Sequence, residues 1–207
     1  MLLDKYMPKW DFTEVHSIRV NGDPETVYDA VMETTLAEIS SIMRLLLFLR
    51  ELPEKAVGRK TTAMDNQEPM LSSMLNNGFT KLAEKKPFEV VFGLLVPGNT
   101  GRVWQKSSGK EITAADAEEF FAFENPDYIR VVANIIVEDT DKLDLVTVST
   151  ESRSLALSRQ ALKHFTPYWR IIRPFSGLIR RLWLRGIKRH AERHSARTPN
   201  YQQEYSK

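Results

Sequence analysis

The chain contains no cysteine, which excludes disulfides, thiolate metal sites and a cysteine nucleophile together. It also lacks any long hydrophobic run. The most apolar stretch, Leu45-Leu46-Leu47-Phe48-Leu49, is closed off by Arg44 and Arg50, far short of the roughly 18 apolar residues of a membrane span. The opening MLLDKYMPKW puts Asp4 and Lys5 where a secretory signal needs an uninterrupted apolar core, so a cytoplasmic location is expected. No phosphate loop, zinc-protease motif or nucleophile motif occurs, and no cofactor is expected. Internal repeats and low-complexity linkers are absent as well.

What is present is a strong division of charge. The 207 residues carry 29 Lys and Arg against 27 Asp and Glu, a net of only +2. Residues 153–207 hold 13 of those cations against Glu192 and Glu204, which leaves an acidic body of net −9 before them. A hydrophobic content of 42% in this length suffices for one sizeable core. We therefore expect a single domain over residues 1–195 and a frayed tail over 196–207.

The pattern along the chain alternates between the two periods of regular structure. Val15, Ile18 and Val20 suggest a first strand ended by Asn21-Gly22. Asp23 is a good N-cap and Pro24 suits the first helical position, so a helix starts there, and a second periodic run follows from Leu36 to Leu52. Residues 53–77 read as loop with at most a short helix. From Gly78 the period becomes two, predicting strands over 79–83 and 88–96 and a short one over 102–105 carrying Trp104. Thr113 to Asp116 matches a capping box ahead of a short helix over 117–123. Tyr128–Glu138 and Leu143–Arg153 then form the clearest hairpin signal. Ser158 caps a terminal helix in which Pro174 predicts a break or kink, and residues 176–194 present an apolar stripe opposite a basic one.

This order, together with GFTKLAEKKPFEVVFG at 78–93, GRVW at 101–104, FFAFENPDYIRVVANIIV at 120–137, VSTESR at 148–153 and YWRIIRPFSGLIRR at 168–181, resembles the SRPBCC superfamily of START-like, helix-grip proteins. The resemblance is to bacterial members without assigned function. It implies an α+β fold: a curved antiparallel sheet wrapped around a long C-terminal helix, two short helices after the first strand, and an apolar cavity between sheet and helix. A single sheet with one apolar face must bury it against another layer, so the helix is required structurally.

Alternation would turn Phe88, Val90, Phe92, Val131, Ala133 and Ile135 inward, as either a pocket wall or a filled core. Glu151 and Arg153 share one side of the last strand and are expected to bring a polar stripe into the pocket, as a ligand-holding or acid-base pair or as a structural ion pair. Trp104, Phe165, Tyr168, Trp169 and Phe175 complete the expected ligand-binding set, the last three near the proline kink. Glu151, His164 and Tyr168 are the candidates for proton transfer. His190 and His194 stand at i and i+4 but lack the glutamate of a zinc-protease helix, so no metal site is expected. The functional expectation is binding or carriage of a small hydrophobic or aromatic molecule, with a cyclase- or dehydratase-type enzyme as the alternative. The basic stripe further allows contact with an anionic membrane surface. Nucleic acid is not an expected partner, because recognised motifs and an exposed stacking platform are missing.

Overall fold

A computed structural model of the chain describes residues 1–39, 67–76, 78–98 and 117–195. Its elements run α1 (Leu2–Tyr6), β1 (Phe12–Asn21), α2 (Pro24–Glu33), α3 (Leu36–Ile39), α4 (Met70–Asn76), β2 (Thr80–Lys85), β3 (Glu89–Pro97), α5 (Ala117–Ala122), β4 (Tyr128–Asp139), β5 (Leu145–Ala156) and α6 (Arg159–Ser195). The five strands form one curved antiparallel sheet in the order β1-β5-β4-β3-β2, with α6 packed against it. The expected α+β architecture and the two short helices after β1 are therefore present. The expected strand over 102–105, the capping box at 113–116, most of the second helix and the tail lie outside the described residues.

Local chemistry explains the element starts. The Asp23 side chain accepts a hydrogen bond from the Thr26 amide at 2.9 Å, with Pro24 just inside α2. Ser158 Oγ accepts from the Ala161 amide at 3.0 Å and opens α6. That helix does not break at Pro174. It continues through Pro167 and Pro174 for 37 residues, a rod about 55 Å long. Both prolines are exposed, as are Lys163 and Arg170, whose carbonyls lose their helical donors. Those carbonyls face water, and burial of Phe165 and Leu182 to Leu184 on the other side of the rod offsets the two missing hydrogen bonds.

The face of the sheet toward α6 carries two apolar clusters. In the larger, Val20, Val90, Phe92, Ala133, Ile135, Val137, Val146 and Val148 pack with α2, α3 and α4 against Leu182, Trp183, Leu184, Ile187 and Ala191. In the smaller, Ile129, Ala161 and Phe165 are buried, with Phe12, Val131, Tyr168 and Trp169 partly buried around them. Beyond the larger cluster, α6 ends on α3. Arg189 donates to the carbonyls of Glu38 and Ile39, while His190 and Arg193 bind the Glu38 carboxylate. Burial pushes the Glu38 pKa up, but the Thr35 amide, His190 and Arg193 outweigh it and hold the carboxyl below its ordinary range.

The opposite face is covered too. Leu82, Val91, Leu95 and Val132 pack there against Leu3 and Met7 from the N-terminal segment and Phe120 from α5. Gly93 makes this possible, since a Cβ there would lie 2.5 Å from the Phe120 ring. Four polar side chains fasten the cover. Glu89 accepts from the amides of Leu2 and Leu3 and from Asn134 Nδ2, and Arg130 donates to the carbonyls of Phe121 and Phe123 at the end of α5. Arg153 binds Asp4 at 2.8 Å, Glu151 at 2.6 Å and the Met7 carbonyl at 2.8 Å, with its guanidinium 4.0 Å from the Trp10 ring centre.

Arg153 thus acts as the main clasp of the N-terminal segment. Asp4 is largely exposed and contributes little, so the carbonyl and Glu151 bonds dominate the cost of losing it. We expect Arg153→Ala to lower unfolding free energy by about 2–3 kcal/mol and to deprotect the amides of residues 2–7 in hydrogen exchange. Unchanged protection of those amides would show that the clasp is not formed.

Candidate functional site

The register of β5 decides which side chains meet α6. Ser152 Oγ accepts a hydrogen bond from Arg180 Nη1, so Val146, Val148, Thr150, Ser152 and Ser154 face the helix. Glu151 and Arg153 consequently point the other way, to the face covered by α1. Their expected entry into a sheet-helix pocket is corrected: they form the ion pair just described, which fixes the N-terminal segment. Thr13 Oγ1 also donates to Glu151, at 3.3 Å, across the β1–β5 ladder on that outer face.

The polar residues that do reach the helix come from β1. Glu14 pairs with Ser152 in the ladder and His16 with Thr150, which puts both on the helix-facing side with Ile18 and Val20. Glu14 Oε1 lies 2.9 Å from His16 Nε2, while Glu14 Oε2 is buried without a hydrogen-bond partner. Above them passes Gly177, where α6 lies against the two side chains. A Cβ on Gly177 would come 3.1 Å from His16 Nε2 and still nearer to Glu14 Oε1. Arg180 reaches over the same point to Ser152. Desolvation pulls its pKa below the ordinary arginine value, opposed by the Glu14 charge beside it. Arg181 folds back along the helix, its Nε donating to the Gly177 carbonyl at 3.1 Å.

Glu14, His16, Thr150, Ser152, Gly177 and Arg180 therefore make a polar layer across the seam, between the two apolar clusters. The layer opens to solvent. A groove of about 380 Å³, lined by Thr13, Glu14, Val15, His16, Arg173, Pro174 and Arg181, runs beside the free edge of β1. It offers an imidazole and two guanidinium groups, which suit an anionic group, beside the Glu14 carboxylate and Pro174; Val15 pairs with Glu151 in the ladder and meets the groove only from the outer face of β1.

The other sequence candidates are distributed differently. Val90, Phe92, Ala133 and Ile135 are buried against α6 in the larger cluster, at 6% exposure or less. Val131, Phe165, Tyr168 and Trp169 belong to the smaller cluster, where the Phe12 ring centre is 5.8 Å from Phe165 and 5.4 Å from Trp169. Phe88 sits in the turn before β3, 42% exposed, rather than on the inward wall, because the β2–β3 connection runs through Lys86, Pro87 and Phe88. Phe175 is half exposed on the outward side of α6, and His164 is exposed. Trp104 lies outside the described residues. His190 stacks on His194 with ring centres 4.6 Å apart, and its Nδ1 lies 3.0 Å from Glu38. No helix among the described residues is long and apolar enough to cross a membrane.

Glu14 is not among the residues singled out in the sequence and His16 reads there as structural, although a signal exists. Phe12, Glu14, His16, Ile18 and Val20 share one side of β1, and the two aliphatic residues mark that side as buried. A carboxylate and an imidazole in the middle of a buried face are the unusual feature.

No family model matches this chain, and no curated protein matches it. Among solved structures it is similar to a conserved protein from Geobacillus kaustophilus, at 10% identity over 88% of this chain and 96% of that one, TM-score 0.41. It is also similar to a hypothetical protein from Helicobacter pylori, at 13% identity over 91% and 93%, TM-score 0.37. A third, XoxI from Bacillus cereus, aligns at 12% identity over 88% and 97%, TM-score 0.33. Likeness at this level assigns neither ligand nor reaction.

The close approach at Gly177 makes a prediction with an informative sign. Gly to Ala inside a helix ordinarily stabilises by about 1 kcal/mol. Here we expect Gly177→Ala to lose that gain, because the added methyl must push the Glu14 carboxylate off His16. Denaturant unfolding measures it. A stabilised variant would place α6 farther from β1 than described.

Proposed function

We propose that the protein is a cytoplasmic binder or carrier of a small aromatic or apolar molecule that bears an acidic group. The molecule enters the seam between β1 and α6, its acidic group held by Arg181, Arg173 and His16 and its body against Pro174 beside the edge of β1. The observation that carries this reading is the interruption of an otherwise apolar sheet-helix interface by Glu14 and Arg180 where a groove opens beside β1. Burying charged groups costs several kcal/mol that a hydrocarbon layer would not. A site selected only for stability would be apolar there. The order of elements and the curved sheet gripping a long terminal helix support the SRPBCC resemblance, and with it a ligand located between sheet and helix.

A second reading is favoured by one contact. The 2.9 Å pairing of His16 with Glu14 orients the imidazole as acid-base pairs require, with two arginines nearby to bind an anionic substrate. Proton transfer in a cyclase- or dehydratase-type reaction would then centre on His16 rather than on His164 or Glu151.

Anilinonaphthalene sulfonate, an aromatic anion, is a suitable probe. We expect saturable, salt-sensitive binding by fluorescence titration, weakened about tenfold by Arg181→Gln as one charged contact is lost. Binding that is equally tight in Arg181→Gln and Arg173→Gln would remove the groove from consideration.

A further inference from the structure

The outward side of α6 between Lys163 and Phe175 is unlike the rest of that helix. Ile171 is 69% exposed and Phe175 50%, and Pro167, Arg170, Arg173 and Pro174 are exposed around them. At about 100° per residue, Pro167, Ile171, Pro174 and Phe175 form one stripe, with Lys163 and Arg170 along its side. The whole helix holds ten Lys and Arg and one acidic residue, Glu192. Near its C-terminal end two of these cations are ion-paired, Lys188 with Glu192 and Arg193 with Glu38, and Arg189 is held by the carbonyls of Glu38 and Ile39. Lys163, Arg170 and Arg173 have no ion-pair partner among the described residues.

We infer that this stripe docks the protein on an anionic lipid bilayer, with Ile171 and Phe175 inserted at the headgroup boundary and Lys163, Arg170 and Arg173 on lipid phosphates and carboxylates. The charge argument selects the surface. Unmatched cations flanking protruding apolar side chains, with no acid within the helix until Glu192, suit a negative interface. The size argument selects lipid over protein. A stable protein interface buries about 800 Å² on each partner around a packed centre, whereas two protruding side chains on a convex rod present no such area; a bilayer accepts them without a complementary surface. Docking in this orientation brings the mouth of the groove, at Arg173 and Pro174, to the membrane. The inference goes beyond the groove reading and stands without it.

Sedimentation of the full chain with vesicles tests it, comparing pure phosphatidylcholine with a mixture containing one third phosphatidylserine. We expect binding to the mixture, loss of binding at high salt, and a decrease of about tenfold or more for Lys163→Gln with Arg170→Gln. Ile171→Glu with Phe175→Glu should abolish binding while leaving the melting temperature and the fluorescence titration with anilinonaphthalene sulfonate in lipid-free solution unchanged. None of these four residues lines the groove, so failure of the groove would appear in the titration alone. Equal binding to pure phosphatidylcholine, or indifference to both double variants, would overturn the proposal. So would a large fall in melting temperature in Ile171→Glu with Phe175→Glu, which would mean that the chain itself covers the stripe. A wild-type dimer that this double variant converts to monomer would overturn it too, by making a second copy the occupant.

Discussion

The structure depends on how Glu14 and Arg180 share the seam between sheet and helix. A rod about 55 Å long can grip a five-stranded sheet through apolar contact alone, and at both ends it does, through Phe165 and Trp169 at one and Trp183 and Ile187 at the other. In the middle, Gly177 brings the helix backbone onto β1, so the strand side chains beneath it determine the spacing. Those side chains are a carboxylate and an imidazole. Arg180 reaches over them to Ser152, desolvated but within the field of the Glu14 carboxylate, which His16 also neighbours at 2.9 Å.

This arrangement explains why the groove sits where it does. Among the described residues β1 is an edge strand, so the polar layer at Glu14 and His16 meets the groove on that side. The arginines at its rim extend from the turns of α6 on either side of Gly177. Ligand binding at the seam and contact of the outer helix face with lipid would therefore involve neighbouring turns of one helix.

Much of the fold was legible because several signals agreed. The Asp23-Pro24 and Ser158 caps, the long alternation of β4 and β5, and the apolar stripe of 176–194 each had a local cause and appear as expected. The orientation of β5 was not legible. Alternation separates two sides of a strand but does not say which is inward, and both sides of this sheet are covered, so Ser152 and Arg153 are both buried. The cover itself, α1 and α5, consists of helices of five and six residues, too short to produce a helical period. Continuity of α6 through Pro174 was likewise hidden, since the cost of a proline is local while the packing that outweighs it comes from distant residues. In the candidate site, parity with Ile18 and Val20 marks Glu14 and His16 as inward, but no local pattern shows that α6 passes over them at Gly177.

Glu14 and Arg180 share one desolvated layer, where the charge of each lowers the cost of burying the other. A double-mutant cycle tests it directly, with Glu14→Leu, Arg180→Met and the pair combined, followed by denaturant unfolding. We expect a loss of about 3 kcal/mol for each single variant and recovery to within about 1 kcal/mol of the parent, or better, in the pair. Additive losses would contradict it, because they would show the two side chains stabilising the fold independently of one another.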